Sequence, residues 1–245
     1  MADFRNFPNR AAGAQTGAMI DEGLRAYMLK VYNLMALGLA ITGIAAYLAF
    51  SFAFSGGQLT AFGQAIYTSP LKWVVIFAPV ALVFFLSFRI NTMSVSAAQA
   101  TFWAYAALVG LSLSSIFVIY TGQSVVQTFF VTAAAFGGLS LYGYSTKRSL
   151  SAMGSFLIMG VFGIIIASIV NIFLQSSGLQ FAISVIGVLA FAGLTAYDTQ
   201  RIKEMYFEAD DVAVAGRKAI MGALTLYLDF INLFMFLLQL MGSRK

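Results

Sequence analysis

Two aspartates stand inside apolar sequence, and they are the residues with chemistry to offer. Asp198 falls in the run Gly193-Leu194-Thr195-Ala196-Tyr197-Asp198-Thr199-Gln200-Arg201-Ile202-Lys203, and Asp229 sits in the middle of the last apolar stretch. An ionisable side chain at membrane depth is costly and usually functional. Two carboxyl groups in contact away from water do not both ionise comfortably, so such a pair shares a proton and responds to pH. Fully ionised, the same pair attracts a divalent cation, which makes Asp198 and Asp229 the candidate calcium ligands. Arg89, at the end of the second apolar stretch, and Arg201, three residues past Asp198, are the cations placed to neutralise one of them.

The rest of the composition narrows what these acids can do. The 245-residue chain is 60% hydrophobic and 9% charged, with a mean hydropathy of +0.88. A soluble domain of this length needs far more charge on its surface. The sequence therefore describes an all-α, polytopic integral membrane protein. It contains no cysteine and no histidine. Disulfides, thiolate nucleophiles, histidine-based triads and the usual zinc and haem sites are excluded. Carboxylates, amides and carbonyls remain, and these suit calcium, magnesium or manganese. No cofactor and no nucleic-acid partner is expected. The expected partners are the lipid bilayer, calcium, protons and other membrane proteins.

Seven apolar stretches, at about 27–50, 71–89, 97–120, 124–144, 152–174, 179–201 and 219–241, each approach the roughly 20 residues a helix needs to cross the hydrocarbon core. Two regions follow: a polar tail over 1–26, in which Pro8, Gly13 and Gly17 discourage early helix, and a seven-helix transmembrane domain over 27–245. Basic residues collect in the tail and in alternate loops (Arg89; Lys147 and Arg148; Arg201, Lys203, Arg217 and Lys218), while 51–70, 121–123 and 175–178 carry no charge. This alternation places the N-terminus in the cytoplasm, and seven crossings leave the C-terminus outside despite Arg244 and Lys245. Small residues at Ala106, Gly110 and Ser114, and at Ala133 and Gly137, form lines suited to close helix packing. Pro79 lies within the second span, where it permits a kink. The acids Glu204, Glu208, Asp210 and Asp211 read as a solvated cluster.

In the seventh span, Thr225, Asp229, Asn232 and Gln239 fall on one face at the helical period. Such a stripe should not meet lipid, so this helix is expected at the centre of the bundle with its stripe along a cavity or water path. In the sixth span Ser184, Gly187, Phe191, Thr195 and Asp198 share a face that offers close approach to a partner helix. The two aspartates are thus expected to meet in the cytoplasmic half of the bundle, with Thr195, Thr225, Asn232 and Gln239 as pathway-lining candidates.

The run 193–203, together with Leu226-Tyr227-Leu228-Asp229-Phe230-Ile231-Asn232-Leu233-Phe234 and Phe88-Arg89-Ile90-Asn91-Thr92-Met93-Ser94, resembles the Bax inhibitor-1 family, the transmembrane Bax inhibitor motif proteins. Length and span count match as well, and the tail and loops suggest a bacterial member in the inner membrane. The resemblance implies seven helices with the last one central, and a pH-sensitive calcium leak gated by paired aspartates, here Asp198 and Asp229. It also implies an arginine on the second helix that engages the pair, for which Arg89 is the matching position. Relatives with acids near the outer face use them to attract calcium; this chain has none in its three uncharged loops.

Four readings compete. The first is a passive cation leak, calcium above all, with no enzymatic activity. The second is a non-transporting regulator that binds other membrane proteins. The third is a proton/cation exchanger. The fourth is an intramembrane aspartyl protease, since two acids sharing a proton can activate water. The Gly-x-Gly-Asp run of those enzymes is missing, because Leu226-Tyr227-Leu228 precedes Asp229.

Overall fold

The computed structural model describes the backbone of residues 7–245 and the side chains from residue 22 onward. The chain is an all-α polytopic membrane protein with seven helices long and apolar enough to cross a bilayer. These are α1 (Phe7–Ala53), α3 (Leu71–Arg89), α4 (Val95–Leu113), α6 (Gly122–Ser145), α7 (Ser151–Leu174), α8 (Ser177–Glu204) and α9 (Val212–Met241). A short α5 (Ile116–Ile119) continues α4, and α2 (Ala61–Tyr67) lies between the first two spans. The sixth and seventh apolar stretches are thus α8 and α9.

Helix begins sooner in the tail than the sequence suggested. α1 starts at Phe7, with Pro8 in the first turn, where its missing N–H costs no ladder bond. The expectation for residues 1–6 lies outside the described residues. α9 also starts seven residues before the apolar stretch, because Asp211 caps it: Val214 N donates to Asp211 Oδ1 at 2.7 Å. α3 runs through Pro79 without a break in helix.

The two ends of the bundle differ chemically. At one end lie the turn between α3 and α4, the turn between α6 and α7, and the loop between α8 and α9. Beside them stand Arg89 at the end of α3, Lys147 and Arg148 in the turn before α7, and Arg201 and Lys203 in the last turn of α8. At the other end, α1 runs into a hairpin of β1 (Phe54–Ser55) and β2 (Gln58–Leu59). Gly56 and Gly57 supply its turn with φ of 57° and 79°, conformations open to glycine. The C-terminus folds back at this same end. Thr121 N donates to Ser243 O and Lys245 N to Ile119 O, each at 3.0 Å. α9 therefore traverses the whole bundle.

Helix α9 packs against α1, α4, α6 and α8. Its most apolar window is 56% buried, against 11% for α7, whose large side chains point outward, among them Phe156, Phe162 and Ile166. Gly110 explains the approach of α4 to α1: a Cβ there would lie 2.4 Å from Thr42 O. The second small-residue line behaves differently, since a Cβ on Gly137 would meet nothing within 4 Å. Gly137 faces the groove between α1 and α6 beside Tyr32 and Met35.

Candidate functional site

The run 193–203 acts first as a packing device, and that is what aims Asp198. Ala196 presses its backbone on α6, where a Cβ on Gly143 would come within 2.1 Å of Ala196 O. Tyr197 covers Gly154 of α7, leaving only 2.5 Å to a Cβ there. Thr199 Oγ1 and Ser140 Oγ lie 2.9 Å apart, and Ser140 Oγ is 2.7 Å from Tyr32 OH. Gln200 staples the turn between α6 and α7: its Oε1 accepts from Leu150 N at 2.8 Å and its Nε2 donates to Arg148 O at 2.9 Å. With three faces of α8 committed in this way, the remaining one carries Ser184, Gly187, Phe191, Thr195 and Asp198, all buried. That face meets α9: Phe191 stacks on Phe236 with ring centroids 5.8 Å apart, and Gly187 leaves room for the same ring.

Asp229 is fixed by its own neighbours. Tyr227 is fully buried; its ring meets Phe102 and Tyr105 edge-on, with centroids 5.8 and 5.6 Å away. Its hydroxyl lies 2.6 Å from Thr42 Oγ1, which donates in turn to Ala106 O at 2.8 Å. Leu226 and Leu233 lock the adjoining positions, each at most 1% exposed. At the helical rise Asp229 stands about 25 Å along α9 from Val212 and about 15 Å from Ala219, where the apolar stretch begins.

The structure brings the two acids together. Asp198 and Asp229 are 8% and 5% exposed, and their carboxyl groups are within hydrogen-bonding reach of each other. Asp229 Oδ2 is buried with no donor among the described residues. A hydrogen bond between two carboxyl groups requires a proton on one of them, and that proton is the donor the surroundings do not supply. The positive charge acting on Asp198 is Arg201, one turn further along α8.

Arg89 is not brought to this pair. It is exposed at the end of α3, and the ion pair formed among the described residues is Lys218 with Asp210. The pathway-lining candidates are also dispersed. Thr195 is fully buried and donates to Phe191 O at 2.7 Å. Thr225 Oγ1 donates to Met221 O at 3.1 Å, and Asn232 Nδ2 to Leu228 O at 2.8 Å. These three spend their hydrogen bonds on their own helices. Gln239 alone opens on a cavity, a polar pocket beside Gln180 and Ser184. Of the acids in the loop before α9, Asp211 is its cap and Asp210 pairs with Lys218, so two of the supposed solvated cluster have structural work. No group of three or more acids gathers as a metal site among the described residues; the two aspartates are the acids a cation would meet in the bundle.

Sequence reasoning missed Gln200, Ser140 and Thr42, which position the acids without carrying charge. Gln200 had a signal, an amide two residues past Asp198 inside an apolar helix. Ser140 and Thr42 had none, because hydroxyls are ordinary in membrane helices and their partners lie 59 and 64 residues away in sequence.

Comparison with known proteins fits this architecture. The family model described as "Inhibitor of apoptosis-promoting Bax1" matches residues 24–245. An uncharacterized protein of Rickettsia prowazekii is 49% identical over 227 residues, covering 92% of each chain. A Caulobacter vibrioides protein is 47% identical over the full length of both. The inner membrane protein YbhL of Escherichia coli is 45% identical, over 91% of this chain and 94% of its own. With six spans wholly inside the matched region and the first inside it from residue 24 on, the chain belongs to the Bax inhibitor-1 family.

Proposed function

We propose that this protein is a pH-sensitive cation leak of a bacterial inner membrane, calcium being the expected ion, with Asp198 and Asp229 as its gate. The observation that carries the reading is the contact of two buried carboxyl groups from consecutive spans, with Asp229 Oδ2 lacking a donor among the described residues. An acid pair of this kind contributes little to packing that two apolar side chains would not, and its protonation changes the force between α8 and α9.

The sign follows from the contact. With a proton between them the acids hold α8 to α9, and Thr195, Thr225 and Asn232 bond to their own backbones; this is the shut arrangement. Without the proton two negative charges face each other. At about 4 Å and an effective dielectric near 20, their repulsion is about 4 kcal/mol. The helices separate, and flux rises with pH. The basic end of the bundle faces the cytoplasm, in keeping with the positive-inside bias, and the C-terminal strap then lies outside.

Purified protein in calcium-free liposomes, with external calcium and no other protein, tests the leak. Uptake above empty liposomes at pH 8, insensitive to an imposed proton gradient, is expected. Uptake that needs an opposing proton gradient would make the protein an exchanger. Uptake equal to that of empty liposomes, from protein shown to be folded, would favour the membrane regulator.

A further inference from the structure

At the end of the bundle away from the basic loops, α7, α8, α9 and the C-terminal strap line an open polar pocket of about 380 Å³. Asn171, Gln180, Ser184, Gln239 and Arg244 line it. Its side-chain amides are oriented by a chain of hydrogen bonds that begins at a backbone donor and so has only one direction. Ser176 N donates to Asn171 Oδ1 at 3.0 Å. That fixes Asn171 Nδ2 as the group that donates onward, to Gln180 Oε1 at 3.2 Å. Gln180 Nε2 is thereby turned toward Gln239 Oε1, 2.7 Å away, where Ser184 Oγ also arrives at 2.9 Å. Each amide oxygen of the relay already accepts, Gln239 Oε1 twice. At the inner end of the pocket Gln239 Nε2 donates to no described residue, and a donor takes only acceptors as partners; Gln175 and Ser177 stand exposed at the rim.

The one charge in the lining has the same preference. Arg244 sits on the C-terminal strap, whose backbone is clamped by the bridge to Tyr120 and by Ser243 N on Ser124 Oγ at 2.8 Å. Gly242 makes the strap possible, since a Cβ there would come within 2.8 Å of the Tyr120 ring. Arg244 forms no ion pair among the described residues, and the pocket contains no acid. The Arg244 side chain is exposed, but its backbone is fixed at the rim of the pocket that Gln239 also lines, and a guanidinium and an amide N–H together suit an anionic oxygen group.

We propose that this pocket binds a small anion through a carboxylate or phosphate oxygen group held by Gln239 Nε2 and the Arg244 guanidinium. It lies about 15 Å along α9 from Asp229. It is a separate site, and its chemistry is opposite to that expected of a cation vestibule.

The test uses full-length protein in detergent and saturation-transfer NMR with benzoate and its neutral counterpart benzamide as probes. Wild type is expected to show saturable benzoate binding and no saturable benzamide binding. Arg244→Gln leaves the strap backbone intact and should weaken benzoate about tenfold, the cost of one charge-assisted contact. Gln239→Glu keeps the oxygen that Gln180 needs, replaces the unspent donor with a carboxylate, and should abolish benzoate binding. Unchanged circular dichroism and melting temperature in both variants separate lost binding from lost fold. Competition by inorganic phosphate identifies a soluble ligand, and competition by short-chain phosphatidic acid alone identifies a lipid headgroup; both support the site. Equal responses to benzoate and benzamide, or benzoate binding untouched by both substitutions, would overturn it. None of these readouts depends on ion flux, so they stand apart from the leak.

Discussion

Gly143→Ala, set beside Gly137→Ala, gives a stability prediction of opposite sign from two glycines on one helix. At Gly143 the added Cβ would lie 2.1 Å from Ala196 O and 2.9 Å from both Ala196 C and Ala196 Cα. All three are backbone atoms of α8, so relief requires one helix to move about 1 Å from the other rather than a side chain to turn. Overpacking of this kind costs about 1–3 kcal/mol, with this contact at the upper end. At Gly137 the Cβ would meet nothing within 4 Å, and replacing a helical glycine by alanine gains up to about 1 kcal/mol. The two variants should therefore differ by about 2–4 kcal/mol. Unfolding in mixed micelles with rising SDS, followed by circular dichroism, measures this directly. Gly143→Ala should unfold at lower SDS than wild type, and Gly137→Ala at equal or higher SDS. Since Ala196 lies two residues before Asp198, the first substitution should also disturb the acid pair. Equal stability of the two variants would refute close α6–α8 packing as the support for Asp198.

Gln200→Leu strands Leu150 N and Arg148 O and should cost about 1–3 kcal/mol in the same assay. A double-mutant cycle of Thr42→Val and Tyr227→Phe should return a coupling of about 0.5–1.5 kcal/mol, because each hydroxyl is the other's buried partner. Asp211→Ala removes the cap of α9 and should destabilise by about 1 kcal/mol, whereas Asp211→Asn should be close to neutral.

The fold was legible because a membrane simplifies the rules. A span must be helical and near 20 residues long, so hydropathy alone locates α3, α4 and α6–α9 within a few residues of their lipid-crossing parts. Element ends were less legible where a side chain decides them, as Asp211 does for α9. The Gly56-Gly57 turn and the short α2 lie in a stretch that reads simply as uncharged loop. The meeting of Asp198 with Asp229 was legible because consecutive antiparallel spans are neighbours. The detachment of Arg89 was not, since nothing in a helix-end arginine tells whether it turns toward the bundle or toward water. The stripe Thr225, Asn232 and Gln239 was read correctly as one face, but a shared face does not make a cavity: short side chains bond their own helix, and only the longer Gln239 reaches a pocket.

Calcium flux through liposomes holding wild type, Asp198→Asn or Asp229→Asn, measured from pH 6 to pH 8, tests the gate most directly. Asparagine donates a hydrogen bond to the remaining acid with no proton to lose. Wild-type flux should therefore rise with pH, while both variants stay low and flat across the range. A variant that keeps the wild-type slope would contradict the assignment of the proton-sensitive latch to Asp198 and Asp229.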